Sequence, residues 1–148
     1  MNQFVEVKVR GLEDLQKALE ELPQKVAKKA VRSSLKEAAA IVKQYIVDFI
    51  RPNTGLMAES FVIRTRIRKD ELAGTAKIMP DGKAQYPKEH KRKGGATYFR
   101  LVSTVVRFLE FGRHKHPIMT MGWEASKNKA LEAIVNGIRE AVEDAGKK

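Results

Sequence analysis

Residues 23–50 read PQKVAKKAVRSSLKEAAAIVKQYIVDFI, and this stretch decides the fold. Ala27, Val31, Leu35, Ala38, Val42, Tyr45 and Phe49 recur at steps of four, four, three, four, three and four, the spacing of one apolar helical face. Val26, Ala30, Ala39, Ile46 and Ile50 widen that face, so the helix is expected to pack against more than one neighbour. Pro23 suits the first helical position, where a missing N–H costs nothing. The Arg-Pro-Asn-Thr-Gly run at 51–55 is a breaker cluster that stops the helix. A helix of this length spans about 42 Å.

On the N-terminal side, residues 4–10 place Val5, Val7 and Val9 opposite Glu6, Lys8 and Arg10, the alternation of a half-buried strand. Gly11 ends it, and Leu12, Leu15, Leu19 and Leu22 then mark a short amphipathic helix. On the C-terminal side, Phe61, Ile63, Thr65 and Ile67 alternate with Val62, Arg64, Arg66 and Arg68, and a second strand is expected at 72–79. Residues 81–95 carry Ala84 and Tyr86 as their only apolar side chains, with Gly82, Pro87, Gly94 and Gly95 among them, and read as a mobile basic loop. At 98–111 the polar positions Arg100, Ser103, Thr104, Arg107 and Glu110 have helical spacing, and Gly112 suits the residue beyond a helix end. From Trp123, a last helix is marked by Leu131, Ile134, Ile138 and Val142. The order of strand, two helices, two strands and two helices predicts an α+β fold: a small antiparallel sheet packed against the long helix and the C-terminal helix. Leu35, Val42, Phe49, Phe108, Leu131, Ile134 and Ile138 are the expected core, and Gly55 and Gly112 are expected at backbone angles costly for other residues.

The length of 148 residues fits one domain with one sizeable core, so 1–148 is read as a single domain. With 29 Lys and Arg against 18 Asp and Glu, the net charge of +11 favours polyanions or acidic protein partners. The absence of cysteine excludes disulfides, thiolate metal sites and cysteine nucleophiles. No apolar run suits a membrane span or a secretory signal, which points to the cytoplasm.

Chemistry is scarce. No phosphate-binding glycine loop, nucleophile elbow or metal-binding helix motif occurs. His114 and His116 flank Lys115 without a carboxylate at useful spacing, and read as part of a solvated basic loop rather than a metal site. Glu110, set among Phe108, Leu109 and Phe111, reads as a structural ion pair with Arg107 or Arg113 rather than an acid catalyst. Neither an enzyme nor a cofactor is expected. Arg64, Arg66 and Arg68 form a row on one strand face that could track phosphates, although no aromatic residue interleaves for base stacking. Lys88, Lys91, Arg92 and Lys93 form either a solvated face or an arm for a polyanion.

Several motifs in order resemble the tail-completion, or head–tail joining (neck), proteins of long-tailed double-stranded DNA bacteriophages. They are Val9-Arg10-Gly11-Leu12-Glu13-Asp14-Leu15, the long Lys/Ala-rich helix, Thr54-Gly55-Leu56 with Ser60, Phe108-Leu109-Glu110-Phe111-Gly112, His116-Pro117 and a closing helix. The chain departs from that pattern in Arg113, in Ile118-Met119 after the proline, and in a longer basic insertion. The resemblance implies a virion protein, assembled in the host cytoplasm, that forms a homo-oligomeric ring, a hexamer in such families. That ring would end the tail tube and dock to the head connector. Thr54, Gly55, Glu110, Phe111, Gly112 and Pro117 carry over as turns that shape the fold or the subunit contacts. The alternative from charge alone is a sequence-independent nucleic-acid-binding protein, with non-specific contact to DNA in the channel as its counterpart in a ring.

Overall fold

The computed structural model describes residues 13–50, 55–69, 73–112 and 116–147. The strand expected at 4–10 lies outside these residues, as does Thr54. The elements run α1 (Glu13–Glu20), α2 (Gln24–Asp48), α3 (Leu56–Ser60), β1 (Phe61–Ile67), β2 (Gly74–Pro80), β3 (Gln85–Lys91), β4 (Thr97–Leu101), α4 (Val102–Phe111) and α5 (Ile118–Gly146). The fold is α+β, with two-stranded sheets packed with the long helix and the C-terminal helix. β1 pairs with β2, and β3 pairs with β4.

The chain divides into two compact units. One comprises α1, α2 as far as Val42, the segment Ile63–Lys77, and α5 from Ser126 onward. Its core joins Leu19, Ala27, Ala30 and Val31 to the half-buried Leu22, Leu35, Ile67, Ile138 and Ala141. The acidic first turn of α1, Glu13 and Asp14, faces the positive end of that helix's dipole. Small residues keep the buried stripe of α2 low: Ala27, Ala30, Ser34, Ala38 and Ala39 are all buried. The Ser34 hydroxyl satisfies itself on the Ala30 carbonyl at 2.8 Å. α5 exploits that low surface, since a Cβ on Gly137 would sit 2.5 Å from Ser34 Oγ. Gly74 serves the sheet in the same way, because a Cβ there would lie 2.6 Å from both Leu35 Cδ1 and Ile67 Cδ1.

The second unit comprises the end of α2 from Lys43, α3, β3, β4, α4 and α5 as far as Ala125, with the flanking ends of β1 and β2. Phe61, Val102, Val106 and Ile118 are its deeply buried side chains, with Ile46. The last turn of α2 tightens, Phe49 N–H donating to Ile46 O at 3.2 Å and Ile50 N–H to Val47 O at 3.0 Å. Asp81 N–H donates to Ser60 O at 2.7 Å, tying the end of β2 to the end of α3.

Several boundaries differ from expectation. Residues 81–95, read as loop, contain β3, which pairs antiparallel with β4 in the register His90 with Tyr98 and Lys91 with Thr97. Pro87 is tolerated because a two-stranded hairpin leaves each strand an unpaired edge. Residues 98–111, read as one helix, divide at Leu101 into β4 and α4. Phe108, expected in the core, is 66% exposed, because α4 buries the face bearing Val102, Val106 and Glu110. Val42 and Ile134 are buried, and Leu35, Phe49, Leu131 and Ile138 are half-buried. α5 begins at Ile118, ahead of the expected Trp123.

Ile134→Ala is expected to cost about 2–5 kcal/mol in a chemical melt, the range for truncating a buried aliphatic side chain. A loss below about 0.5 kcal/mol would place that stripe at a surface instead.

Candidate functional site

The corner between α4 and α5 is built from the residues around Glu110. Three backbone N–H groups at the start of any helix lack intrahelical partners, and an anion placed there is favoured by the dipole. Glu110, 5% exposed, supplies that anion to α5. Its Oε1 accepts from Met119 N–H at 2.5 Å and from Thr120 N–H at 3.4 Å, while Thr120 Oγ1 donates to Oε2 at 3.0 Å. The carboxylate of one helix thus caps the next. This corrects the expected ion pair with Arg107, which is exposed and makes no ion pair among the described residues; Arg113 lies outside them.

Pro117 stands immediately before α5, and its carbonyl accepts from Met121 N–H at 2.8 Å. The preceding His116 closes the corner twice. Its backbone N–H donates to Leu109 O at 2.9 Å, and its ring Nε2–H donates to Phe49 O at 2.8 Å, an otherwise orphaned carbonyl beyond the end of α2. Gly112 N–H donates to Phe108 O at 2.7 Å, ending α4. The left-handed backbone expected at Gly112 is not found, since φ is −75° and ψ 177°. Glycine is needed there for space: a Cβ would collide with the Phe108 carbonyl oxygen. Gly55 does adopt the left-handed region, with φ 69°, as the residue that starts α3, and its carbonyl accepts from Glu59 N–H at 3.0 Å. Phe111 is 53% exposed and takes no part in the cap.

The basic residues fall into two groups. Arg64, Arg66 and Arg68 are exposed, alternating with half-buried Ile63, Thr65 and Ile67, so the expected row on β1 is formed. Lys88 and Lys91 are exposed on β3, and Arg92 and Lys93 follow in the turn to β4. This hairpin is aromatic as well as basic, which the sequence reading missed. His90 stacks on Tyr98 with ring centroids 5.5 Å apart, and the Arg92 guanidinium lies 5.2 Å from the Tyr98 centroid. Burial raises the pKa of the Tyr86 phenol, opposed by the charge of Arg100. Spacing of two between Tyr86, Lys88, His90 and Arg92 was the available signal, obscured by Pro87 and by the density of charge.

Apolar side chains stand beside these charges. Phe99 and Leu101 on β4 are 45% and 38% exposed, adding to Phe108 and Phe111 on α4. No group of side chains suited to hold a metal ion occurs among the described residues, and no helix among them is long and apolar enough to cross a membrane. The geometry offers a rigid capped corner and a charged, partly apolar hairpin.

A family model described as "Bacteriophage HK97-gp10, putative tail-component" matches residues 13–112, from the first residue of α1 to the residue after α4. No curated protein and no solved structure matches the chain.

Proposed function

The chain belongs to the HK97-gp10-like family of phage tail components, a virion location, and from that membership we propose that it is a subunit of the ring that ends the tail tube and docks to the head connector. The observation that carries this reading is the family match, which runs through every element that builds the corner except α5 itself. The role is structural rather than catalytic. A rigid corner held by Glu110 and His116, with charged and apolar side chains presented on short elements, suits a subunit that must meet several neighbours at once. The partners are then further copies of the chain, hexameric by the family resemblance, together with tail-tube and connector proteins. DNA moving through the channel would meet basic side chains without any requirement for sequence recognition.

Particles made without this chain are expected to show tails of irregular length, or tails that fail to join heads, in negative-stain images. Normal infectious particles lacking it would sink the proposal. The purified protein is expected to be a monomer or loose oligomer by light scattering in moderate salt, because a charge of +11 on every copy opposes closure without a template. One stable closed ring at micromolar concentration, with no partner present, would remove the template requirement.

A further inference from the structure

Of the large hydrophobic side chains that stand exposed, Phe99, Leu101, Phe108 and Phe111 all lie on β4 and α4, and a fifth, Val26, lies in the first turn of α2. Their surroundings carry opposite charge. Between residues 83 and 107, seven basic side chains stand against one acid, Glu89. Across α1 and the residue after it, the exposed Glu13, Asp14, Glu20 and Glu21 stand against one base, Lys17. An apolar surface rimmed by one sign of charge fits a partner with an exposed apolar group rimmed by the other.

We propose that the basic, apolar surface of β4 and α4 docks head-to-tail on the acidic α1 and adjoining Val26 of a second copy of this chain. The inference rests on the ring reading above and names the contact that would build it. The two patches differ, so the contact is heterologous, and a heterologous contact repeats into a ring when its rotation closes. Paired with itself, the β4–α4 surface would set cation against cation. A nucleic acid would meet the cations but leave four apolar side chains uncovered, so a protein surface fits them better. The attraction is local, against a background of net repulsion between copies, which keeps each single contact weak until a template holds the copies in place.

The absence of native cysteine makes cross-linking clean. Thr104→Cys lies on the exposed face of α4 with Phe108, and Gln16→Cys on the exposed face of α1 with Glu20; neither removes a charge. Differently tagged copies of the two variants are mixed in low salt and oxidised. The mixed disulfide is expected to form at least about tenfold faster than either like-with-like disulfide, a preference a contact of modest free energy suffices to give. It should be lost in about 1 M salt, where the screening length falls to about 3 Å, and lost in the Phe108→Ser/Phe111→Ser variant. Both phenylalanines are exposed, so that variant should fold as the parent does.

Equal rates for all three disulfides, or a preference for the Thr104→Cys pair with itself, would overturn the proposal. A short single-stranded oligonucleotide bound equally by the parent and the Phe108→Ser/Phe111→Ser variant, with no mixed disulfide, would reassign the surface to nucleic acid. A ring seen in particles despite statistical cross-linking would contradict this contact while leaving the ring itself standing.

Discussion

Glu110→Ala is expected to lower the unfolding free energy of the protein by about 2–4 kcal/mol, combining a lost helix cap with the loss of hydrogen bonds to a charged group. The side chain is 5% exposed and is the acceptor for Met119 N–H, Thr120 N–H and the Thr120 hydroxyl. Alanine leaves those donors without the acceptor and removes the negative charge from the start of α5. Glu110→Gln keeps one carbonyl oxygen and should recover roughly half of the loss, because neutral hydrogen bonds are weaker than charge-assisted ones. Chemical melts of the two variants decide the matter. Equal small losses for both, near the ±0.5 kcal/mol of an ordinary surface change, would mean that α5 needs no cap from α4.

Gly122→Ala is expected to cost about 3 kcal/mol or more, at the upper end for overpacking. A Cβ at Gly122 would lie 2.5 Å from Ile46 Cγ1 and 2.8 Å from both the nitrogen and the α-carbon of Ile46. Side chains can rotate away, but the backbone of α2 cannot move without disturbing its own hydrogen bonds. Gly146→Ala, where a Cβ would meet nothing within 4 Å, is the matched control and should be near neutral. A Gly122→Ala variant that melts with the parent would show that α2 and α5 are not in contact at this level.

The long helix was legible because its periodicity is local: every step of the stripe at Ala27, Val31, Ala38 and Val42 is set by residues three or four positions away. β1 and the start of β2 were legible to within two residues for the same reason, apolar and polar positions alternating in one short run. β3 was hidden. Its strand character depends on pairing with β4, and a hairpin exposed on both faces needs no apolar alternation to mark it. The division of β4 from α4 was hidden as well, since Arg100 and Ser103 happen to continue the helical spacing of Arg107 and Glu110.

The site was legible in part. The Glu-Phe-Gly and His-Pro motifs mark the corner correctly, and Gly55 does take the left-handed backbone. The role of Glu110 was not readable, because it depends on α5 beginning at Ile118, eight residues further on. Gly112 shows a second limit, where spacing predicted an unusual backbone angle and the actual constraint is room beside the Phe108 carbonyl. Phe108 shows a third. Its apolar neighbours suggested burial, but α4 turns the Val102–Val106–Glu110 face inward and leaves Phe108 outside.

The most direct test of the account is an averaged electron cryomicroscopy reconstruction of the particle, with this chain identified by fitting its own side chains. The account predicts a single closed ring of identical copies between the end of the tail tube and the head connector. Copies repeated along the tube wall, or a particle that contains none, would contradict it.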